Sequence, residues 1–89
     1  MNASEILDFS KDAVLLFVLA KIDQYQGEID FFKNKYKQDF EEVETKAHSR
    51  KGHEDFGVEE DLEDWEFACK SLEWWTKKYI ELKNDVDAA

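Results

Sequence analysis

This chain of 89 residues contains no proline, three glycines and one cysteine. Helix-breaking residues are therefore scarce along its whole length. A single cysteine excludes an internal disulfide and suits a reducing compartment. The longest apolar run, Ala13–Ala20, is too short to cross a bilayer and is flanked by charged Asp12 and Lys21. We therefore expect a cytoplasmic protein with no signal peptide and no membrane partner.

Positive charge is also in short supply. Lys and Arg number 12 against 22 Asp and Glu, so the formal net charge is −10. Phosphate binding requires a basic surface, and we therefore expect no direct contact with nucleic acid. The acidity either keeps an aromatic-rich chain soluble or attracts a basic protein partner, and the sequence leaves both roles open.

Motifs for catalysis are missing as well. The sequence has no Gly-rich phosphate loop, no Gly-x-Ser-x-Gly and no His-Glu-x-x-His. Four side chains could ligate zinc, but they lie in a loop-like stretch without a rigid scaffold. They are His48, His53, Glu54 and Asp55. We expect solvated loop histidines, no metal, no cofactor and no small-molecule substrate, and we predict that the protein is not an enzyme.

What the chain has instead is a helical rhythm. Apolar residues recur every three to four positions along two long stretches, which is the pattern of amphipathic helices. We predict a single all-α domain, a long antiparallel helical hairpin with a short connecting helix. The predicted elements are a helix at about 5–35, a short helix at about 40–48, a loop at 49–57 and a helix at about 58–84.

Two details of the first helix stay open. It can begin at Glu5 or at Lys11, since a serine that can cap a helix precedes each of them. Near its end, Asp39 and Glu42 form an Asp-x-x-Glu capping box, which favours a break or bend at 37–39. An unbroken helix with a stutter in its apolar repeat is the alternative.

The aromatic residues exceed what a small hairpin can enclose. A chain of this size buries only about 60–65% of its unfolded surface, and each ring covers roughly 150–250 Å². Four rings lie off the main apolar stripes, namely Phe17, Phe31, Phe67 and Trp74. They are either extra core or a binding face. We expect that these rings, with Ala13–Ala20, pack against a partner protein or a second copy in a helical bundle.

Two segments resemble a known kind of protein. Lys21–Glu44, KIDQYQGEIDFFKNKYKQDFEEVE, resembles the pattern K…Y…EI..FE.KYGMSFEEFE of small helical prokaryotic antitoxin-like proteins found beside toxin genes, including those of the TumE type. Glu54–Lys70 resembles the E-D-D-x-x-x-W-E segment that follows. The most specific matches are Tyr36, Phe40 and Glu41 with Asp61, Asp64, Trp65 and Glu66.

The resemblance covers about two thirds of the chain and implies an all-helical antitoxin that binds and blocks a cognate toxin. It has one informative departure. The Gly-Met-Ser of the pattern is Lys37, Gln38 and Asp39 here, so the glycine that takes a left-handed turn most easily is replaced.

We therefore expect a non-enzymatic, antitoxin-like binding module that neutralises a basic toxin by direct contact. The predicted contact residues are Phe17, Phe31, Asp61, Asp64, Trp65, Glu66, Phe67 and Trp74. Trp65 also lies on the core stripe of the last helix. The alternative is a self-associating structural or adaptor protein that has no toxin partner.

Overall fold

The computed structural model describes the backbone of residues 3–49 and 56–88, and the side chains of residues 10–49 and 57–85. It contains helices α1 (Ala3–Tyr36), α2 (Phe40–Ser49) and α3 (Phe56–Ala88), and these ranges include no strand. Both α1 and α2 pack against α3. The predicted all-α hairpin with a short connecting helix is thus confirmed.

Both long helices extend beyond the ends that the sequence predicted. α1 begins at Ala3, ahead of both predicted starts, and α3 runs from Phe56 to Ala88. The reason is the scarcity of breakers, since no glycine or proline follows Gly57 in α3. Residues 50–55 of the predicted loop lie outside the described residues.

The first helix breaks where the capping box predicted a break or bend. α1 ends at Tyr36, and Lys37 follows with φ of 55°. Its amide donates a hydrogen bond of 2.8 Å to the Lys33 carbonyl, which closes the end of the helix. The Asp39 carbonyl then accepts a bond of 3.1 Å from the Glu42 amide, so α2 starts immediately. A lysine therefore adopts the left-handed conformation for which the antitoxin pattern has glycine.

The core is built around one tryptophan. Its buried side chains are Ile29, Phe32, Val43, Trp65 and Ala68. The Trp65 side chain is fully buried, stacked at 5.7 Å on Phe32 and at 5.9 Å on Tyr36, and Phe40 meets it edge-on at 5.6 Å. These rings come from α1, α3 and the first residue of α2, so Trp65 joins all three helices. Its indole N–H has no acceptor among the described residues, which reduces the net gain from burial.

A polar contact fixes the end of α1 against the start of α3. Lys35 Nζ and Tyr36 Oη both donate to Asp61 Oδ2. The hydrogen bonds from Lys35 and Tyr36 lower the pKa of Asp61, and they outweigh the partial burial that would raise it. The carboxylate is therefore charged at neutral pH and fastens the two helices next to the core.

The hairpin divides into two halves that differ in burial. The proximal half, residues 24–49 and 57–70, includes α2 and all five side chains of the core. The distal half comprises residues 10–23 and 71–85, where Val18 is the one buried side chain. In the distal half two helices pack side by side with no third layer.

The distal half contains the run Ala13–Ala20, which is apolar nearly all round and which we expect to pack against a partner or a second copy. In the single chain only Val18 of this run is buried, whereas Leu16 is 67% exposed. Among the described residues, no helix combines the length and the hydropathy needed to cross a membrane.

The shape leaves much surface uncovered. The chain measures 65 × 19 × 18 Å and has a radius of gyration of 18.6 Å, against about 12 Å for a compact domain of this length. Its accessible surface is 6981 Å², whereas a compact monomer of this mass exposes about 5500 Å². The hairpin therefore offers about 1500 Å² more surface than a globular fold would.

Candidate protein-binding face

The four rings that lie off the main apolar stripes are all exposed. The exposed fractions are 54% for Phe17, 61% for Phe31, 62% for Phe67 and 53% for Trp74. Rings of this size gain free energy when another surface covers them, and clusters of exposed apolar residues mark interaction sites. We refer to these four residues as the aromatic face.

The aromatic face occupies one side of the hairpin. Phe31 of α1 and Phe67 of α3 line the same groove. Phe17 meets Trp75 edge-on at 5.8 Å, and Trp75 in turn meets Trp74 edge-on at 4.8 Å. Spacings of fourteen residues in α1 and seven in α3 keep each pair on one helical side. The rings thus form two clusters, one in each half of the molecule.

The proximal cluster frames a groove of about 590 Å³ between α1 and α3. Its lining residues are Gln24, Tyr25, Gly27, Glu28, Phe31, Phe32, Asp64 and Phe67, none of them from α2. Tyr25 and Phe67 pack edge-on at 6.0 Å and form an aromatic wall. Glu28 of α1 and Asp64 of α3 contribute carboxylates. Aromatic faces beside carboxylates suit a cationic side chain, above all arginine.

Gly27 shapes this groove. A glycine in the middle of a helix costs about 1 kcal/mol relative to alanine. A Cβ atom placed on Gly27 would meet nothing within 4 Å, so no contact inside the described chain requires a glycine there. Because Gly27 lines the groove, its missing side chain leaves room for a backbone that approaches from outside.

Negative charge is concentrated around the groove. The proximal half has twelve carboxylates and five lysines, whereas the distal half has five of each. In α3, Asp61 pairs with Lys35, and Glu66 pairs with Lys70 at 2.9 Å. The other acidic residues of α3 within residues 57–70 have no cationic partner in the described part of the chain. These are Glu59, Glu60, Glu63 and Asp64.

One predicted contact residue is wrong. Trp65 has no exposed surface, so it belongs to the core and cannot touch a partner. Trp65 is buried because it lies on the apolar stripe of α3, although its sequence neighbours Asp64 and Glu66 are acidic. Asp64 and Glu66 are exposed as a contact requires. The Asp61 side chain is only 19% exposed and is occupied by the bonds to α1.

Sequence reasoning missed five residues of the groove, namely Gln24, Tyr25, Gly27, Glu28 and Phe32. A usable signal existed for two of them. Gly27 and Glu28 precede Phe31 by four and three residues, so all three share one side of α1. The pairing of this side with Phe67 depends on how α1 and α3 are aligned, which the periodicity does not specify.

The zinc candidates do not assemble in the described part of the chain. No group of three metal-ligating side chains occurs among the described residues. His48 is exposed near the end of α2. The other three candidates, His53, Glu54 and Asp55, lie outside the described residues.

The cysteine is part of the packing. Cys69 lies against the core cluster. Burial raises the pKa of the Cys69 thiol; Lys33 opposes this shift and Glu66 adds to it. A raised pKa reduces the thiolate fraction, which is the reverse of what a reactive cysteine needs.

Comparison of the chain with protein-family models, curated proteins and solved structures finds no match. Its class therefore follows from its own geometry. It is a small all-α helical hairpin that carries an exposed aromatic face, and one half of that face is acidic.

Proposed function

We propose that this protein is a non-enzymatic, antitoxin-like binding module that neutralises a basic toxin by direct contact. The observation that carries the proposal is the proximal groove, where exposed Phe31 and Phe67 stand beside the carboxylates of Glu28 and Asp64. Burial of these rings against a partner favours binding, and the surrounding negative charge attracts and orients a basic surface. The resemblance of two segments to antitoxin-like proteins supports a toxin as the partner.

The groove suits a helix of the partner. It runs between two helices, and a third helix can lie in it with its apolar side on Phe31 and Phe67. Gly27 allows the two backbones to approach closely. A lysine or arginine from that helix can stack on a ring and pair with Asp64.

Co-expression with the protein encoded by the adjacent reading frame tests the proposal. We expect the neighbour to inhibit growth alone, and the chain to suppress the inhibition and to co-purify with it. Phe67→Ala should weaken the complex by about tenfold or more, which corresponds to 1.4 kcal/mol of lost contact. Phe17→Ala is the matched control, since Phe17 is an equally exposed ring of the distal cluster.

The proposal fails if the neighbour is neither toxic nor bound. A stable self-associated form that never acquires a partner would instead favour the structural or adaptor role. If Phe17→Ala and Phe67→Ala weaken the complex equally, the toxin covers the whole aromatic face and not the acidic groove.

Gly27→Ala separates folding from binding. The added methyl group should stabilise α1 by up to about 1 kcal/mol. It should also weaken toxin binding, because it occupies the space on the groove side of the helix. Asn34→Ala, an exposed change in α1 that does not line the groove, should stabilise without weakening. Unchanged binding by Gly27→Ala would exclude close backbone approach at this point.

A further inference from the structure

Exposed apolar side chains are concentrated in the distal half. Among the described side chains, six of the eight large hydrophobic residues with high exposure lie there, with exposed fractions from 41% to 67%. They are Val14, Leu16, Phe17, Leu19, Trp74 and Ile80. The other two, Phe31 and Phe67, line the acidic groove. From this distribution we infer that a second copy of the chain docks on the distal half and leaves the proximal half free.

The geometry of the exposed residues calls for a broad partner surface. Leu16 and Phe17 are neighbours in sequence, so their side chains leave α1 about 100° apart. Leu19 adds a third exposed direction on the same turns of the helix. A small ligand cannot cover such an arc, whereas a pair of helices from another copy can pack along it.

The charges of the distal half fit a second copy. Its five lysines and five carboxylates cancel, and several are already engaged within the chain. Glu73 pairs with Lys77 at 3.4 Å, and the ammonium of Lys21 lies 5.5 Å from the centre of the Phe17 ring. Residues 10–23 and 71–85 of two copies can therefore meet without net repulsion. Two proximal halves would bring an excess of seven negative charges on each chain together.

Complete overlap of two antiparallel copies is a less favourable arrangement. It would place the proximal half of one chain on the distal half of the other. Carboxylates such as Asp64 would then lose water against apolar side chains such as Leu16 and Leu19 of the second copy. Overlap of the distal halves alone buries apolar side chains against apolar side chains.

The available area suffices for a stable contact. The chain exposes about 1500 Å² more than a compact monomer, and each partner in a standard interface contributes about 800 Å². A two-fold axis through the distal halves gives a four-helix segment with identical patches facing each other. Because α1 begins at Ala3, pairing residues 10–23 of two antiparallel copies overlaps about 27 residues of α1, and two 65 Å molecules form an assembly about 85–95 Å long.

Sedimentation equilibrium and small-angle scattering of the full chain test this inference. We expect a dimer with a maximum dimension of about 85–95 Å, as opposed to about 65 Å for full overlap. Leu16→Lys should weaken self-association by about a hundredfold, because it places a charge in the contact. Leu16 is two-thirds exposed in the single chain, so helical circular dichroism should not change.

Phe31→Lys is the matched control, since Phe31 is similarly exposed but lies in the proximal half. It should leave the dimer intact. A monomer at a concentration of about 0.1 mM would overturn the inference. So would a 65 Å dimer that Phe31→Lys dissociates, or a wild-type monomer whose toxin binding is abolished by Leu16→Lys.

The dependence on salt concentration distinguishes self-association from toxin binding. Self-association through a neutral apolar half should stay constant or strengthen between about 0.05 and 0.5 M NaCl, where the Debye length shrinks several-fold. Binding of a basic protein to the acidic half should weaken over the same range. Phe67→Ala should impair toxin binding alone and Leu16→Lys self-association alone, so each proposal can fail independently of the other.

Discussion

The proximal and distal halves are built from the same two helices, yet only the proximal half has a core. There Trp65 is enclosed by rings from α1 and α2, and five side chains are buried. In the distal half Val18 is the one buried residue among those described, although its sequence is at least as apolar. The third helix makes the difference, because two helices in contact enclose one stripe on each and no more. Apolar content alone does not create a core.

Charge follows the same division. The half with the core has the surplus of carboxylates, and the half without a core is neutral. The chain thus joins an acidic half that has a core to a distal half whose apolar side chains are largely exposed.

The largest effect should come from the two tryptophans that differ most in burial. Trp65→Ala removes a fully buried ring and should cost about 3–5 kcal/mol in the free energy of unfolding, enough to unfold much of the chain. Trp74→Ala removes a ring that is 53% exposed and should cost below about 1 kcal/mol in a monomeric background. Urea denaturation followed by circular dichroism measures both.

Trp65→Phe should lie between these values, because it keeps an aromatic ring for the stack and removes the unsatisfied indole N–H. Equal costs for Trp65→Ala and Trp74→Ala would contradict the placement of the core in the proximal half.

The next effect is one of local stability. In the monomeric Leu16→Lys variant, amides of the distal half should exchange with deuterium at least about tenfold faster than those of the proximal half, because fewer buried contacts oppose opening there. In the wild-type chain, the inferred dimer should slow exchange in the distal half only. Uniform protection in the monomer would remove the contrast between the halves.

A smaller effect concerns the contact between Asp61, Lys35 and Tyr36. Asp61→Asn should lower the free energy of unfolding by about 1 kcal/mol at neutral pH, because it weakens two hydrogen bonds to a charged acceptor. The folded-state pKa of Asp61 is lowered, so its contribution is complete above the unfolded-state pKa and is lost as pH falls through the folded-state value. The difference between variant and wild type should therefore shrink below about pH 4.

Asp64→Asn is the control for this experiment, since Asp64 is exposed and is not part of the contact. It should leave the free energy of unfolding within about 0.5 kcal/mol of the wild type. If the penalty of Asp61→Asn stayed constant down to about pH 2, the charged form of Asp61 would not be the stabilising one.

The smallest predicted effect is a gain in stability. Lys37 has φ of 55°, a conformation that disfavours every residue with a side chain, and Lys37→Gly should raise the free energy of unfolding by about 0.5–1 kcal/mol. Lys37→Ala keeps the Cβ atom and should change stability little. Thermal denaturation of the pair measures the difference. A loss of stability in the glycine variant would show that the lysine side chain contributes more than its backbone conformation costs.

Most of the fold could be predicted from the sequence, and the reasons are local. The apolar period and the scarcity of breakers specify long helices, and the Asp39 capping box marks the start of α2. The true ends of α1 and α3 could not be predicted, because a helix without breakers continues as far as backbone bonding allows. The break at Lys37 could be suspected but not decided, since lysine neither requires nor forbids the left-handed turn.

The candidate site could be predicted only in part. Phe17, Phe31, Phe67 and Trp74 lie off the apolar stripes, which left extra core and a binding face as alternatives, and their exposure in the structure excludes extra core within the single chain. The groove itself depends on which turn of α1 faces which turn of α3, and long-range packing determines that alignment. Trp65 shows the opposite error, since an acidic neighbourhood in sequence suggested a contact residue where packing places the centre of the core.

The position of the groove has a consequence for stoichiometry. If two chains meet through their distal halves, each groove stays open on its own side of the two-fold axis, about 17 Å from that axis along the rod. Each chain then holds its own client protein. Such a bivalent rod titrates its targets one for one, and loss of one client leaves the other bound.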